Sequence, residues 1–427
     1  MISEAILNYT EALEYIHGVN WTFCKPGLER IGSLCGSLGH PEKNLRFIHV
    51  AGTNGKGSTS VMLAGILQKA GYKVGLYTSP YIKEFNERMR IDGKNISNRE
   101  LTEITEYIRP LADAMQDKPT EFELITAIAF EYFSRNCCDV VVLEAGMGGR
   151  LDSTNIIEHS LLSVITGIAL DHVAFLGDTV EKIATEKAGI IKRGCPVIFG
   201  GTDESAATVI ERRARELDSP FYRVNYNALT VNKMSLDGTE LTFDHYKNIH
   251  ISLLGSYQPK NAALVLSAID ILRSQGMDIS ENAVREGLCT ARWSARFEII
   301  SQDPLVVFDG AHNAEGIAAA VESIKLYFKD EKVYVLTGVL KDKDYKAIAK
   351  DISRVASKAF TMTPDNPRAL SANEYADVLS KCGVQANAYC DIDQALSAAL
   401  KSAKRDGKAL FCLGSLYTYS SIISRFE

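Results

Sequence analysis

The chain has no Cys-x-x-Cys pair among its nine cysteines and no cysteine spacing that suits a metal. An odd number of scattered thiols in a chain of this length points to reduced cysteines in a cytoplasm. Adjacent Cys137 and Cys138 follow a helical pattern and are expected to be buried. Positive charge is not in excess. The net charge of −6 supplies no basic face for a nucleic acid, although it leaves room for local positive sites that hold a small anion. No apolar run is long enough to cross a membrane. The first seven residues, Met1-Ile-Ser-Glu-Ala-Ile-Leu7, lack the basic start and long apolar core of a signal peptide. What is left is a soluble, cytoplasmic chain with no membrane or nucleic-acid partner, and 427 residues suggest two or three domains. No oligomer interface is readable, so a monomer is expected.

One stretch organises the rest. The apolar run from Leu45 to Ala51 ends in the glycine-rich turn Gly52-Thr-Asn-Gly-Lys-Gly-Ser58. A helical stripe of Met62, Leu63, Ile66, Leu67 and Ala70 follows, Gly71 stops it, and Lys73 to Tyr77 reads as a second strand. Strand, glycine loop, helix and strand make a phosphate site: loop N–H groups and the helix N-terminus face the anion, and Lys56 adds a full charge. The standard Walker spacing is imperfect, because Val50 stands where the first glycine belongs and Gly57 separates Lys56 from Ser58.

Further along, strand ends repeatedly carry polar groups. Asp139-Val-Val-Val-Leu-Glu144 reads as a buried strand ending in a carboxylate, then glycines. An acid at such a place holds magnesium in nucleotide enzymes. Leu162 to His172 reads as another strand, closed by Asp171 and His172. A lone histidine is commonly structural, but its place after an apolar strand and an aspartate favours a ligand. Ser97-x-x-Glu100 and Thr120-x-x-Glu123 are capping boxes, and Pro110 is expected to kink or end the first of those helices. The polar stretch from Ile82 to Asn95 reads as a long charged loop.

Beyond Asp178-Thr179, Ile183, Ala184, Lys187, Ile190 and Ile191 share one helix face, so Lys187 points inward. A partner carboxylate, Glu144 or Asp171, would explain it. A magnesium neighbour is the alternative: an ammonium ~4 Å from a divalent ion at an effective dielectric of ~20 is repelled by roughly 8 kcal/mol. That is about six pKa units, enough to discharge the amine. Residues 221–254 hold short strands of a small antiparallel sheet edge, and a long helix opens near Gly255. From Leu305, strands and helices alternate as a second, smaller α/β domain whose first strand ends in Asp309-Gly-Ala-His312. The fold class is α/β: a P-loop-type, mostly parallel sheet flanked by helices, plus a smaller Rossmann-like C-terminal domain, with domains expected at 1–292 and 298–427.

The loop Gly52–Ser58 resembles the nucleotide loop of the Mur ligase family, in its dihydrofolate synthase/folylpolyglutamate synthase branch. Lys341-Asp-Lys-Asp344 and Gly414-Ser-Leu-Tyr417 also match, so the resemblance runs from about residue 10 to the end. It implies ATP on Thr53, Asn54, Gly55, Lys56, Gly57 and Ser58, with Asn261 at the adenine and Arg296 and Asp309 from the C-terminal glutamate ligase domain. It implies Mg2+, expected as two ions, on Ser79, Glu144, His172 and a carbamylated Lys187. The charged stretch after Ser79 becomes a mobile loop near the nucleotide. The pterin ring would lie by Phe122, Glu123, Leu124 and Ile125, and the folate segment by Leu151, Asp152 and Ser153. By sequence alone, Phe122 and Glu123 are helix cap and core, and a helix start can also line a pocket. Arg150 and Leu151 look like those of relatives that also accept dihydropteroate. Tyr257 departs from the family's usual histidine, and Ser294 and Ala295 stand where it has proline and glycine.

The resemblance thus implies an ATP-dependent amide ligase. A carboxylate of dihydropteroate or a reduced folate attacks the γ-phosphate, and the amine of L-glutamate then attacks the acyl phosphate. Lys56, Lys187, His172 and His312 would serve the chemistry. A monofunctional folylpolyglutamate synthase is the nearest alternative. A cell-wall peptide ligase would need a nucleotide-sugar-binding domain ahead of the loop, for which about 44 residues are too few. A non-catalytic nucleotide-binding protein would leave the acid, histidine and inward lysine unexplained.

Overall fold

The computed structural model describes residues 7–18, 27–171, 173–329 and 331–426. The chain divides into two compact units, one of Met1–Leu229 and Lys260–Ala291, the other of Thr230–Pro259 and Arg292–Glu427.

The first unit is built on an eight-stranded sheet: β1 (Phe47–Ala51), β2 (Val74–Tyr77), β3 (Met89–Ile91), β4 (Lys94–Asn95), β5 (Val140–Glu144), β6 (Leu162–Ile165), β7 (Val197–Phe199) and β8 (Phe221–Arg223). Their spatial order is β4-β3-β2-β5-β1-β6-β7-β8. From β2 to β8 the neighbours run parallel, whereas β3 is antiparallel to β2 and β4 to β3. Strands β1 and β5 are buried along their whole length, as expected of a sheet with helices on both faces. Each buried Val or Ile there contributes about 1.5–3 kcal/mol. The parallel register pairs Val50 with Glu144 and Val50 with Val164, so the C-terminal ends of three central strands lie side by side.

The helix after the glycine loop, Lys56–Lys69, is buried on nearly every face. It crosses helix Glu281–Thr290 at a glycine contact: a Cβ on Gly287 would lie 2.5 Å from Ile66 Cα. Both capping boxes form, with Ser97 and Thr120 each accepting from the N–H of the glutamate three residues on.

Several expectations change. Helix Asn98–Ala114 runs past Pro110 without ending: the proline is exposed, and its missing N–H takes one hydrogen bond from a helix whose other face stays buried. The stretch from Ile82 to Asn95 is a short 3-10 turn, Phe85–Arg88, followed by the β3–β4 hairpin at the sheet edge. Glu87 and Arg88 are buried within it. Strand β6 stops at Ile165, six residues before Asp171. Cys138 is buried but Cys137 is exposed, since its φ of +51° turns the chain between helix and strand. Of the helix expected over 3–16, the described part is Tyr9–His17, and Ile6 lies outside the described residues. No described helix is long and apolar enough to cross a membrane.

The second unit contains two sheets. Strands β9 (Leu229–Ser235), β10 (Gly238–Phe243) and β11 (Tyr246–Ile251) form a separate three-stranded sheet rather than an edge of the first. Strands β12 (Glu298–Gln302), β13 (Leu305–Phe308), β14 (Val333–Thr337), β15 (Ala356–Thr361), β16 (Gln385–Ala388) and β17 (Leu410–Leu413) lie in the order β12-β13-β17-β14-β15-β16. All neighbours are parallel except β12, an antiparallel edge paired to β13. Leu254, which follows β11, packs in one core with Phe297, Val307, Val335 and Phe411. That contact explains why residues 230–259 group with the C-terminal part of the chain.

Candidate active site

The glycine loop is held in shape from below by the segment that follows β6. Thr53 N donates to Gly167 O (2.8 Å), Ala169 N donates to Thr53 Oγ1 (3.0 Å), and Thr166 Oγ1 donates to Asn54 O (2.7 Å). Gly52 is required here: a Cβ would lie 1.7 Å from Thr166 Oγ1. Gly55 caps the helix at φ +87°, a left-handed value that glycine tolerates, and a Cβ there would lie 2.8 Å from Asn261 Oδ1. Asn261, on helix Gln258–Ser274, is therefore seated directly against the loop. Lys56 Nζ donates back to Gly52 O (3.1 Å) and Thr53 O (3.3 Å). Gly57 is half-buried and Ser58 buried at the first turn.

Lys187 is the second cation on this loop. It is 4% exposed, and its Nζ donates to the same Gly52 carbonyl at 2.8 Å. Burial first, then the nearby Lys56 charge, lowers its pKa to about 7, against the opposing pull of Asp171 and Asp152. The inward orientation read from helix periodicity is what the structure has; the group its amine bonds is a carbonyl of the phosphate loop.

Glu144 ends β5, 4% exposed, beside Val50 of β1. Tyr77 pairs with Leu143, so Ser79 leaves β2 next to the end of β5. Ser79 Oγ accepts from Arg88 Nη1 at 3.0 Å. A hydroxyl and a carboxylate at adjacent strand ends are hard oxygen donors of the type Mg2+ prefers, and thus fit that ion. An unmodified amine does not, so Lys187 joins such a set only as a carbamate. His172 lies outside the described residues.

The turn after Glu144 is braced at both ends. Asp152 accepts from Met147 N (2.8 Å), Thr154 N (3.1 Å) and Thr154 Oγ1 (2.5 Å). Burial raises its pKa against those hydrogen bonds. Thr154 Oγ1, having given its proton to Asp152, accepts from His49 Nε2 at 2.9 Å, which assigns the Nε2–H tautomer to His49. Burial, and then Lys192, hold that imidazole neutral well below its usual pKa. Arg150 N donates to Glu186 O (2.8 Å), and a Cβ on Gly149 would lie 2.8 Å from that same carbonyl, so the turn is packed on the helix that carries Lys187.

The expected pterin residues separate. The Phe122 ring lies against Gly146, where a Cβ would be 2.6 Å from Phe122 Cζ, and 6.2 Å from the Tyr77 ring. Leu124 and Ile125 are inside the core, and Glu123 is 3% exposed, bonded to Arg30 Nε at 2.9 Å. Leu151 is exposed and Ser153 buried. Sequence reasoning missed Thr166, His49 and Arg30. A histidine inside the apolar run of β1 was the one available signal; Thr166 and Arg30 gave none.

In the second unit Asp309, 2% exposed, accepts from Phe297 N (2.9 Å), Ala311 N (2.8 Å) and Tyr257 Oη (3.0 Å). It thereby fixes Phe297 on one side of Arg296, while Ala295 on the other accepts from Gly310 N (2.8 Å) and donates to Glu298 Oε2 (2.7 Å); Ala295 and Phe297 have φ of +55° and +45°. Burial raises the Asp309 pKa while Arg296 opposes the rise. His312 Nδ1 is bonded to Gly310 O at 2.8 Å.

With this geometry in place, comparison with known proteins is informative. Residues 50–269 match the Mur ligase middle domain and residues 295–416 the Mur ligase glutamate ligase domain. The chain is 39% identical to the dihydrofolate synthase/folylpolyglutamate synthase of Bacillus subtilis over 430 residues, 98% of this chain and 99% of that protein. It superposes on the crystal structure of folylpolyglutamate synthase from Thermotoga maritima with a TM-score of 0.86, at 32% identity over 98% of this chain and 96% of the other. An Escherichia coli relative solved in complex with DHPP and ADP gives a TM-score of 0.86 at 30% identity, covering 98% and 97%.

Proposed function

We propose, because the chain belongs to the dihydrofolate synthase/folylpolyglutamate synthase family of Mur ligases, that it joins L-glutamate to dihydropteroate and to the glutamate tail of reduced folates. It is an ATP-dependent ligase. The observation that carries the assignment is the pinned loop 52–58 with two lysines on one of its carbonyls and a buried acid at the adjacent strand end. ATP phosphates would take the loop N–H groups and Lys56 from Gly52 and Thr53. Asn261, against Gly55, suits the base side of the nucleotide. Ser79, Glu144, His172 and a carbamylated Lys187 would hold Mg2+, which when bound neutralises charge on the transferring phosphoryl group.

The remaining work falls to positioning. The acceptor carboxylate must meet the γ-phosphate. Phe122, lying on the glycine turn, offers an aromatic face to the acceptor, and Leu151 lies exposed beyond that turn. Asp152 and Ser153 shape the turn from within. Lys187 with a pKa near 7 offers the neutral amine that carbon dioxide requires to form a carbamate. Arg296, next to the Phe297 that Asp309 fixes, and His312 would serve the phosphates and the glutamate from a C-terminal glutamate ligase domain. The eight described cysteines are free thiols, which suits a cytoplasmic enzyme.

ADP release from purified protein with ATP and Mg2+ tests the reading. Release is expected only when L-glutamate and dihydropteroate or a reduced folate are both present. Release with a cell-wall peptide precursor in their place would overturn it.

A further inference from the structure

Arg88 closes the 3-10 turn Phe85–Arg88 and is 8% exposed. One of its nitrogens, Nη1, is spent on the neutral hydroxyl of Ser79 at 3.0 Å. Its guanidinium carbon lies 5.1 Å from the centre of the Tyr81 ring and 5.7 Å from that of Phe85. Its Nε, buried, has no acceptor among the described residues. The neighbouring carboxylate, Glu87, turns Oε2 to the backbone N–H groups of Ile82 and Lys83, at 3.0 and 3.2 Å.

Aromatic faces attract a cation but do not neutralise it. A guanidinium presents five N–H groups in a rigid fork matched to a carboxylate. Burying that charge with one neutral hydroxyl as acceptor among the described residues is costly, and the cost is offset when an anion arrives. The direction from which it would arrive is also marked. Arg88 O accepts from Thr78 N at 3.0 Å, Met89 pairs with Tyr77, and the Tyr77 ring stands 6.2 Å from that of Phe122. That is the aromatic side of the site.

Resting on the ligase reading above, we propose that Arg88 binds the acceptor: its fork, set against the neighbouring rings of Tyr81 and Phe85 and aligned by Ser79, receives the carboxylate that is to be activated. The bond to Ser79 and the contact with the two adjacent rings position the guanidinium, so the carboxylate is received near the end of β2. The cation also offsets the repulsion between that carboxylate and the phosphates it must approach.

The test uses the full chain with ATP, Mg2+ and L-glutamate, dihydropteroate and a reduced folate monoglutamate as acceptors, and the variants Arg88→Gln and Arg88→Lys. Kinetics give KM for acceptor and for ATP, and calorimetry gives the acceptor Kd without ATP. Arg88→Gln is expected to raise acceptor KM and Kd by about 10- to 100-fold, the worth of one charge-assisted carboxylate contact, with KM for ATP unchanged. Arg88→Lys, which keeps the charge but not the fork, is expected to fall between Arg88→Gln and wild type, and it carries the measurement should Arg88→Gln not fold. Unchanged acceptor KM and Kd, or an equal rise in both KM values, would overturn the assignment of Arg88 alone. A wild-type protein inactive with every acceptor would instead bring down the ligase reading itself.

Discussion

Lys187 shows how one residue ties pH to both stability and chemistry. In the unfolded chain its amine titrates near the ordinary 10.5, whereas burial and Lys56 bring it to about 7 in the fold. Between those values the unfolded chain binds more protons, so this residue's penalty on the fold is full below pH 7 and fades as pH rises toward 10.5. Lys187→Met removes the amine and is expected to melt above wild type at pH 6 to 7, with the gap closing toward pH 10. A gap that ignores pH would contradict the shift. The same variant is expected to lose ligase activity, and wild type assayed in carbon dioxide-free buffer is expected to lose activity that bicarbonate restores. Gly52 is the other residue with a sharp consequence. Gly52→Ala drives a methyl to 1.7 Å from Thr166 Oγ1 and breaks the bond from Thr166 to Asn54. A loss of about 1–3 kcal/mol in urea unfolding is expected from such overpacking, together with a raised KM for ATP. Wild-type stability with Ala at this position would mean that the loop is not pinned as described.

At the scale of the element, helix Glu121–Arg135 separates two meanings of one motif. Thr120 and Glu123 form the capping box, and Glu123 also pairs with Arg30 of helix Glu29–Ser37 at 4% and 11% side-chain exposure. Glu123→Ala removes the carboxylate from Arg30 Nε, leaving that guanidinium with Asp117 3.5 Å away, and removes the Glu123 half of the capping box, so a loss of about 1–3 kcal/mol is expected in urea unfolding. If Glu123 mattered only as an acceptor contact, stability would hold and acceptor KM alone would move. The helix start was legible in the sequence because capping is local, a matter of four residues. So were the phosphate loop, whose glycines, lysine and flanking periods sit within 30 residues, and the inward face of Lys187. What escaped depends on pairings that no local period encodes. The β3–β4 hairpin read as a loop because its strands have three and two residues. Strand β12 was missed because an antiparallel edge one turn ahead of β13 breaks the strand–helix alternation. Thr166 matters only because the parallel register brings the end of β6 beneath a loop more than 100 residues earlier. Arg88, within the stretch that reads as a charged loop, became distinctive only once its burial and its contact with the rings of Tyr81 and Phe85 were visible.

For the whole molecule, the order of the chain and the order of its cores differ. The chain leaves the first unit at 229, returns at 260 and leaves again at 291. The intervening segment 230–259 gives Leu254 to the second core, Leu236 packs against that core, and Ser256 and Tyr257 bond to Ser323 and Asp309. A cut near residue 292, where the linker Trp293–Glu298 suggests one, would therefore orphan groups on both sides. Fragment 1–291 would expose Leu254 and Leu236 to water and leave the Tyr257 hydroxyl without its carboxylate. Fragment 292–427 would have Asp309 buried with one fewer donor and a gap where Leu254 packs, and losing a buried leucine costs about 2–5 kcal/mol. Neither fragment is expected to show a cooperative melt by itself, judged by calorimetry and near-UV circular dichroism. A second pair, with residues 230–259 deleted from the first fragment and fused through a flexible linker to the start of the second, is expected to restore a cooperative melt to the C-terminal piece. A sharp melt from 292–427 alone, with no gain from the added segment, would show that the inserted sheet is an ornament and that the core closes without it.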